Sequence, residues 1–282
     1  MERKRVYIVV KTYPTISTKY AELVCTAGML EDGSWIRLYP LRFRTLDMDK
    51  KYEKYQWIEI DVERNTSDFR PETYRPFNLD TIEVMPKRKA KRVDWNERKE
   101  IVFKNKKVYT NLAEIIALSK TKPQYTSLAI FKATEILDFV CENTEREWDK
   151  DTLAALTTQE SQPTLFESAE EIKQQFQIVK KIPYKFSYRF CDDEGKESTL
   201  MIEDWEIGAL YWNCLRNSNG DERVAVQKVK EKYWDDFVLT KDPYFFLGTT
   251  KANQLRAPNP FIIIGVFYPP RNDTPDLFEG EL

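Results

Sequence analysis

The sequence contains no histidine, and its four cysteines, Cys25, Cys141, Cys191 and Cys214, are scattered with no Cys-x-x-Cys pair among them. Zinc fingers and the common zinc hydrolase sites need clustered Cys or His ligands, so both are excluded. Ser-His-Asp and Cys-His catalysis go with them, as does any histidine general base. Each cysteine sits in an apolar run and reads as a reduced, buried thiol. Glycine is scarce, at eight residues in 282, and no Gly-rich phosphate loop of the Walker or dinucleotide-binding type is present. ATPase and dehydrogenase chemistry fall away, and no cofactor is expected. No apolar stretch approaches the roughly 20 residues of a membrane span. The longest, Phe261 to Tyr268, is strand-sized, and the charged start Met1-Glu2-Arg3-Lys4-Arg5 has no apolar core behind it for a secretory signal. A cytoplasmic protein with no membrane partner is the expectation.

What is present is a globular composition: 41% hydrophobic and 13% aromatic residues, enough for a substantial core. The length favours two domains. Net charge is only −2, but it is unevenly spread. Residues 1–110 carry 24 Lys and Arg against 17 Asp and Glu, a net of +7, and residues 111–282 carry 20 against 29, a net of −9. Such asymmetry points the basic half towards an anionic partner.

Val6 to Val10 is β-branched and aromatic throughout and predicts a buried strand, and Trp35 to Tyr39 predicts another after the Glu31-Asp32-Gly33-Ser34 turn. From Ile58 to Glu63 the chain alternates, with Ile58, Ile60 and Val62 on one face and Glu59, Asp61 and Glu63 on the other. Short strands joined by turns predict a small barrel-like or rolled-sheet domain. Residues 111–120 have helical spacing, and 130–131 and 135–140 look like strands. The polar stretch 142–173 reads as a linker or long loop between a basic β-rich domain, 1–141, and an α+β domain, 174–282. In the latter, a hairpin about Asp192-Asp193-Glu194-Gly195 precedes a helix capped by Asp204, a second helix over 221–237, and strands at 244–249 and 261–268, a ββααββ layer. The fold class is therefore α+β.

Three features carry candidate function. The first is a set of cations with interleaved aromatics: Lys87, Arg88, Lys89, Lys91 and Arg92 near Trp95, with Arg37, Arg42 and Arg44 upstream. Clustered cations displace counterions from phosphates and Trp95 could stack on an exposed base. On a continuous strand Arg37, Arg42 and Arg44 would line one face; the competing reading is a solvated basic loop and a charge-protected strand edge. The second is Gln162-Pro163-Thr164-Leu165-Phe166, which resembles the Gln-x-x-Leu-Phe peptide by which bacterial replication and repair proteins dock on the sliding clamp. There Leu165 and Phe166 would fill an apolar pocket with Gln162 at its rim; otherwise the pair packs onto its own domain. The third is carboxylates for a magnesium nuclease, Glu59, Asp61 and Glu63 or Glu203, Asp204 and Glu206, against the simpler reading of a solvated face and a helix cap. The binding set contains no metal ligands.

The blocks Val10-Lys11-Thr12-Tyr13-Pro14 through Trp35-Ile36-Arg37-Leu38-Tyr39-Pro40, Ile202-Glu203-Asp204-Trp205-Glu206, and Leu247-Gly248-Thr249-Thr250 with Ile264-Gly265-Val266-Phe267-Tyr268-Pro269-Pro270 resemble a widespread, uncharacterised family of bacterial proteins over nearly the whole chain. The resemblance implies no activity and no site residues. The residues themselves favour a nucleic-acid-binding accessory protein, with DNA as the partner, in repair or antiviral defence. A divalent-metal nuclease and an adaptor docking through 162–166 are the alternatives.

Overall fold

A computed structural model describes residues 1–17, 21–86, 94–151, 153 and 179–271. The expected docking peptide, Gln162, Leu165 and Phe166, and the cations Lys87, Arg88, Lys89, Lys91 and Arg92 lie outside the described residues.

The first half contributes strands β1 (Glu2–Lys11), β2 (Thr15–Ser17), β3 (Ala21–Met29), β4 (Trp35–Leu41), β5 (Trp57–Arg64), β6 (Thr73–Pro76) and β7 (Glu83–Val84), then helix α1 (Trp95–Phe103). Strands β1, β3, β4, β6 and β5 pair in that order, and β5 pairs back to β1, closing a five-stranded barrel. All contacts around the ring are antiparallel except β4 with β6. The expected small barrel is thus a closed one. Val6, Ile8, Ile36, Leu38, Ile58, Ile60 and Val62 fill its interior. Tyr7 and Val9, on the other face of β1, pack against Phe246, Ile264 and Phe267 of the second half. β1 is therefore buried on both faces, which explains its unbroken apolar run. On β5 the outward carboxylates meet β1: Arg3 lies opposite Asp61 and bonds both Asp61 and Glu59. Gly33, with φ of 85°, closes the β3–β4 turn in a conformation that suits glycine.

The second half contains β8 (Val108–Tyr109), α2 (Leu112–Lys120), β9 (Leu128–Phe131), β10 (Glu135–Asn143), β11 (Tyr184–Cys191), β12 (Glu197–Met201), α3 (Trp205–Asn217), α4 (Glu222–Lys230), β13 (Tyr244–Thr249) and β14 (Phe261–Phe267). After α4 a π-helical stretch, Glu231–Asp236, leads into a final turn, Phe237–Thr240. Each of α1 to α4 opens on a side-chain cap: Asp94, Asn111, Asp204 and Asp221 accept backbone N–H groups two or three residues on. The strand, helix and strand order is the expected ββααββ, but its strands divide between two sheets. One is β10-β11-β12 and the other β14-β13-β9-β8. Strand pairing thus carries residues 108–143 into the second half, because β9 adds to β13 and β10 to β11. Among the described residues no helix is long and apolar enough to cross a membrane.

The halves are joined by more than packing. Glu203 N–H donates to Ile263 O at 2.8 Å, and its carbonyl accepts from Tyr13 N–H at 3.1 Å. Arg70 Nη1 donates to Thr249 O at 2.6 Å. These bonds fix the barrel against the β13–β14 hairpin and leave a cleft between them.

Candidate functional site

The barrel's strand order supplies the frame. Numbered within the barrel, its five strands run 1-2-3-5-4 and back to 1, with the third and fifth parallel. That is the Greek-key connectivity of the OB-fold, whose ligands lie on the outer face of the second and third strands between the loops joining strands one to two and four to five. In this chain those strands are β3 and β4, and the two connecting loops begin at Thr12, the first of them containing β2, and at Asn65.

A cleft of about 770 Å³ occupies that position, within the size range of small-molecule sites. Its floor is the outer face of β3 and β4, with Leu23, Cys25, Arg37 and Tyr39. Thr12 and Thr15 come from the first of the two loops, and Phe69 and Arg70 from the second. The facing wall is the hairpin, with Gly248, Thr249, Ile262 and Ile264, and its connecting loop adds Lys251, Leu255 and Arg256. Glu203 is the sole acid of the lining among the described residues. At Gly248 a Cβ would stand 2.6 Å from Ile264 Cδ1, so a side chain there would crowd the wall. The blocks that carry the family resemblance therefore meet here: Thr12, Arg37, Tyr39, Glu203, Gly248, Thr249, Thr250 and Ile264 all face one space.

The cationic end is built to hold shape. Arg37 is 1% exposed. Its Nη1 donates to Glu72 at 2.7 Å and to Ser127 Oγ at 2.8 Å, and Nη2 to Ser127 O at 3.1 Å. Its Nε is buried without a hydrogen-bond partner. Arg70 makes a fork onto Asp68, with Nε to Oδ1 at 2.9 Å and Nη2 to Oδ2 at 2.6 Å. Burial would raise the Asp68 carboxyl, but its hydrogen bonds to Arg70 outweigh this and hold it below its ordinary value. Lys251 is exposed and donates to Ser67 O at 2.5 Å, tying the hairpin loop to the barrel. Arg256 is exposed. Buried Gln254 anchors the same loop by donating to Ser119 O and Tyr125 O at 2.8 and 2.9 Å. At the opposite end, burial pushes the Glu203 carboxyl up from its ordinary value.

The expected cations are placed differently from their sequence pattern. Arg37 faces the cleft, whereas Arg42 is exposed beyond the end of β4 and Arg44 pairs with Glu22. A register shift between β3 and β4, where Val24 lies opposite Leu41 and Thr26 opposite Leu38, breaks the alternation and puts Leu41 into the barrel interior. Arg42 and Arg44 also lie past the end of β4, and Arg42 is five positions from Arg37, an odd spacing that puts it on the opposite face, so the three arginines do not share a face. Trp95 does not offer a free ring. It packs edge-on against Phe267 and Tyr268 at 5.7 and 5.5 Å, with Arg98 stacked 5.1 Å away. Much of the basic surplus of the first half is also matched locally, as in Arg5 with Glu31, Arg75 with Glu63 and Lys4 with Glu2.

All members of the two carboxylate sets considered for a metal centre except Glu203 are engaged by cations. Arg3 and Arg75 take Glu59, Asp61 and Glu63, and Lys54 takes Asp204 and Glu206. Among the described residues no group of three or more Cys, Asp or Glu is arranged to hold a metal ion. The sequence pattern missed Phe69, Arg70, Lys251 and Arg256. The only local signal is that two cations flank the Leu247-Gly248-Thr249-Thr250 block on its C-terminal side.

Residues 2–104 match the model of a domain of unknown function (DUF8758), and residues 108–281 match that of a second (DUF8757). The junction falls between α1 and β8, where strand pairing passes from the barrel to the sheets of the second half. No curated protein matches the chain. Among solved structures, one of a murine DNA binding protein bound with double-stranded DNA is similar over 98% of each chain, at 11% identity and a TM-score of 0.30. A score that low carries no argument about fold or function.

Proposed function

The chain belongs to the family of the domain of unknown function DUF8757, and from the geometry of its cleft we propose that it binds single-stranded nucleic acid between the barrel and the β13–β14 hairpin. The observation that carries this reading is the coincidence of a preformed cleft with the ligand face of an OB-type barrel. The fold alone is analogy; the side chains add chemistry. A sugar-phosphate backbone needs cations along its track and its bases need flat apolar surfaces. Lys251 and Arg256 supply the former, and Tyr39 and Phe69, both half-buried at the cleft, supply the latter. A cleft of this volume is sized for a single unpaired nucleotide rather than for a duplex.

The test is fluorescence anisotropy with short single-stranded DNA and RNA oligomers against a duplex of the same sequence. Single strands bind more tightly, and affinity falls steeply with salt because phosphate contacts release counterions. Arg256→Ala weakens binding to every sequence alike and lowers the salt slope by about 1. Equal affinity of the intact protein for duplex and single strand, or no binding at ~50 mM salt, would overturn the reading. The metal-nuclease alternative has no observation in its favour here, and the docking-peptide alternative concerns residues outside the described structure.

A further inference from the structure

The two ends of the cleft differ in hydrogen-bonding character. At one end Arg37 and Arg70 converge about Thr249: Arg70 donates to its carbonyl, and Arg37 holds Ser127, whose own carbonyl accepts from Thr249 N–H at 3.1 Å. At the other end Glu203 is pinned through its backbone to Ile263, which lies opposite Leu247 on the hairpin. Leu247 and Thr249 are two residues apart on one strand, and Glu203 stands two strand spacings across from Leu247, so the acid and Thr249 are about 12 Å apart. A nucleotide with its base edge at the acid would direct its phosphate towards the hairpin loop that carries exposed Lys251 and Arg256.

Two groups in this lining lack partners. The Nε–H of Arg37 is a buried donor with no acceptor. The Glu203 carboxylate has no hydrogen bond or ion pair among the described residues, although its backbone is held on both sides. Arg37 Nε is closed off from the cleft, but the Glu203 carboxylate is half-buried on its lining, and a ligand that donates to it replaces hydration lost to the apolar walls.

Resting on the single-strand reading above, we propose that the cleft selects an unpaired guanine, with the Glu203 carboxylate accepting its N1–H and N2–H. An ionised carboxylate has acceptors only, so it favours a base edge with two adjacent donors. Guanine has such an edge. Adenine and cytosine each place an amine beside an acceptor nitrogen, and thymine places one N–H between two carbonyls. Each of these leaves one carboxylate oxygen facing no donor or facing an acceptor. The Watson–Crick edge is free only in an unpaired base, which fits a cleft sized for a single nucleotide. The exposed cations of the hairpin loop are suited to the phosphate of the same nucleotide.

The experiment compares a thymidine oligomer of roughly ten residues with versions carrying one central guanine, adenine, cytosine or inosine, on intact protein and on Glu203→Gln. The guanine oligomer is expected to bind about tenfold or more tightly than the adenine and cytosine versions. Inosine, lacking the N2 amine, should lose most of that gain. Glu203→Gln, of the same shape, should erase the preference of guanine over adenine and cytosine. Guanosine monophosphate should compete with the guanine oligomer. If all oligomers bind equally, or if Glu203→Gln keeps the guanine preference, the guanine assignment is overturned and the single-strand reading stands. If no oligomer binds but guanosine monophosphate does, and Glu203→Gln abolishes it, guanine recognition is upheld and the cleft serves a free nucleotide. If nothing binds, both fall.

Discussion

Lys54 and Asp204 meet where neither reaches water: Nζ lies 3.3 Å from Oδ2, with side chains 5% and 1% exposed. They come from opposite halves of the chain, and Lys54 also reaches Glu206 at 2.9 Å. Burial works against the Lys54 ammonium, but the two carboxylates outweigh it and hold its pKa well above the ordinary value. Burial pushes the Asp204 carboxyl up to about 6 against the pull of Lys54. Removing one partner of such a pair strands the other charge. Lys54→Met is expected to cost about 3–5 kcal/mol of stability. Adding Asp204→Asn, which keeps the cap on α3, should recover a large part of it. Urea unfolding of the single and double variants checks both statements, and additive losses would show that the pair is not coupled.

Gly28 sits opposite Ile8 in the β1–β3 pairing, and a Cβ there would stand 2.4 Å from the Tyr7 carbonyl oxygen. Backbone cannot move aside as a side-chain end can. Gly28→Ala is expected to destabilise the barrel by about 1–3 kcal/mol or more, read as a lower urea midpoint. An unchanged midpoint would mean that the two strands can separate locally at no cost.

The barrel was legible because its signals are local. The alternation of Ile58, Ile60 and Val62, the apolar run at Val6 and the capping residues each act within a few positions, and each element formed where the pattern put it. The cleft was not legible, since it depends on long-range pairing. Phe69 and Lys251 are 182 positions apart and become neighbours of one space through the contacts of Arg70 with Thr249 and of Lys251 with Ser67. Arg37 stood out as a candidate in the sequence, but its burial did not, because its partner Glu72 lies 35 residues on and Ser127 lies 90. The expected alignment of Arg37 with Arg42 failed because they stand five positions apart, an odd spacing that strand alternation puts on opposite faces, and because β4 ends at Leu41 before Arg42 is reached.

Tyr39 and Phe69 separate base stacking from backbone attraction. Tyr39 projects from β4 into the cleft, and Phe69 leans edge-on against Tyr125 at 5.0 Å on the loop opposite. If bases stack on them, Tyr39→Ala and Phe69→Ala each cost about 1–3 kcal/mol of binding and leave the salt slope unchanged. Arg256→Ala should do the reverse, lowering the slope. Anisotropy titrations at three salt concentrations distinguish the two. A changed slope in Tyr39→Ala would show that the ring acts through the backbone track and not through a base.

Acid should weaken one identifiable surface contact. Glu222, at the start of α4, accepts from Arg146 through both oxygens, at 2.6 and 2.9 Å, and from Tyr184 Oη at 2.8 Å. The hydrogen bond from Arg146 and then that from Tyr184 bring its pKa down to about 2. A carboxyl whose folded pKa is depressed contributes stability at pH above its unfolded value and loses it as pH falls towards the folded one. The contribution is thus full at pH 7 and fades between roughly pH 4.5 and 2. Solvent screens an exposed pair, so the effect is small. Glu222→Gln should therefore melt below the intact protein at pH 7, and the difference in melting temperature should close as the pH approaches 2.5. A gap that stays constant across that range would mean that the residue stabilises α4 by packing and not by its charge.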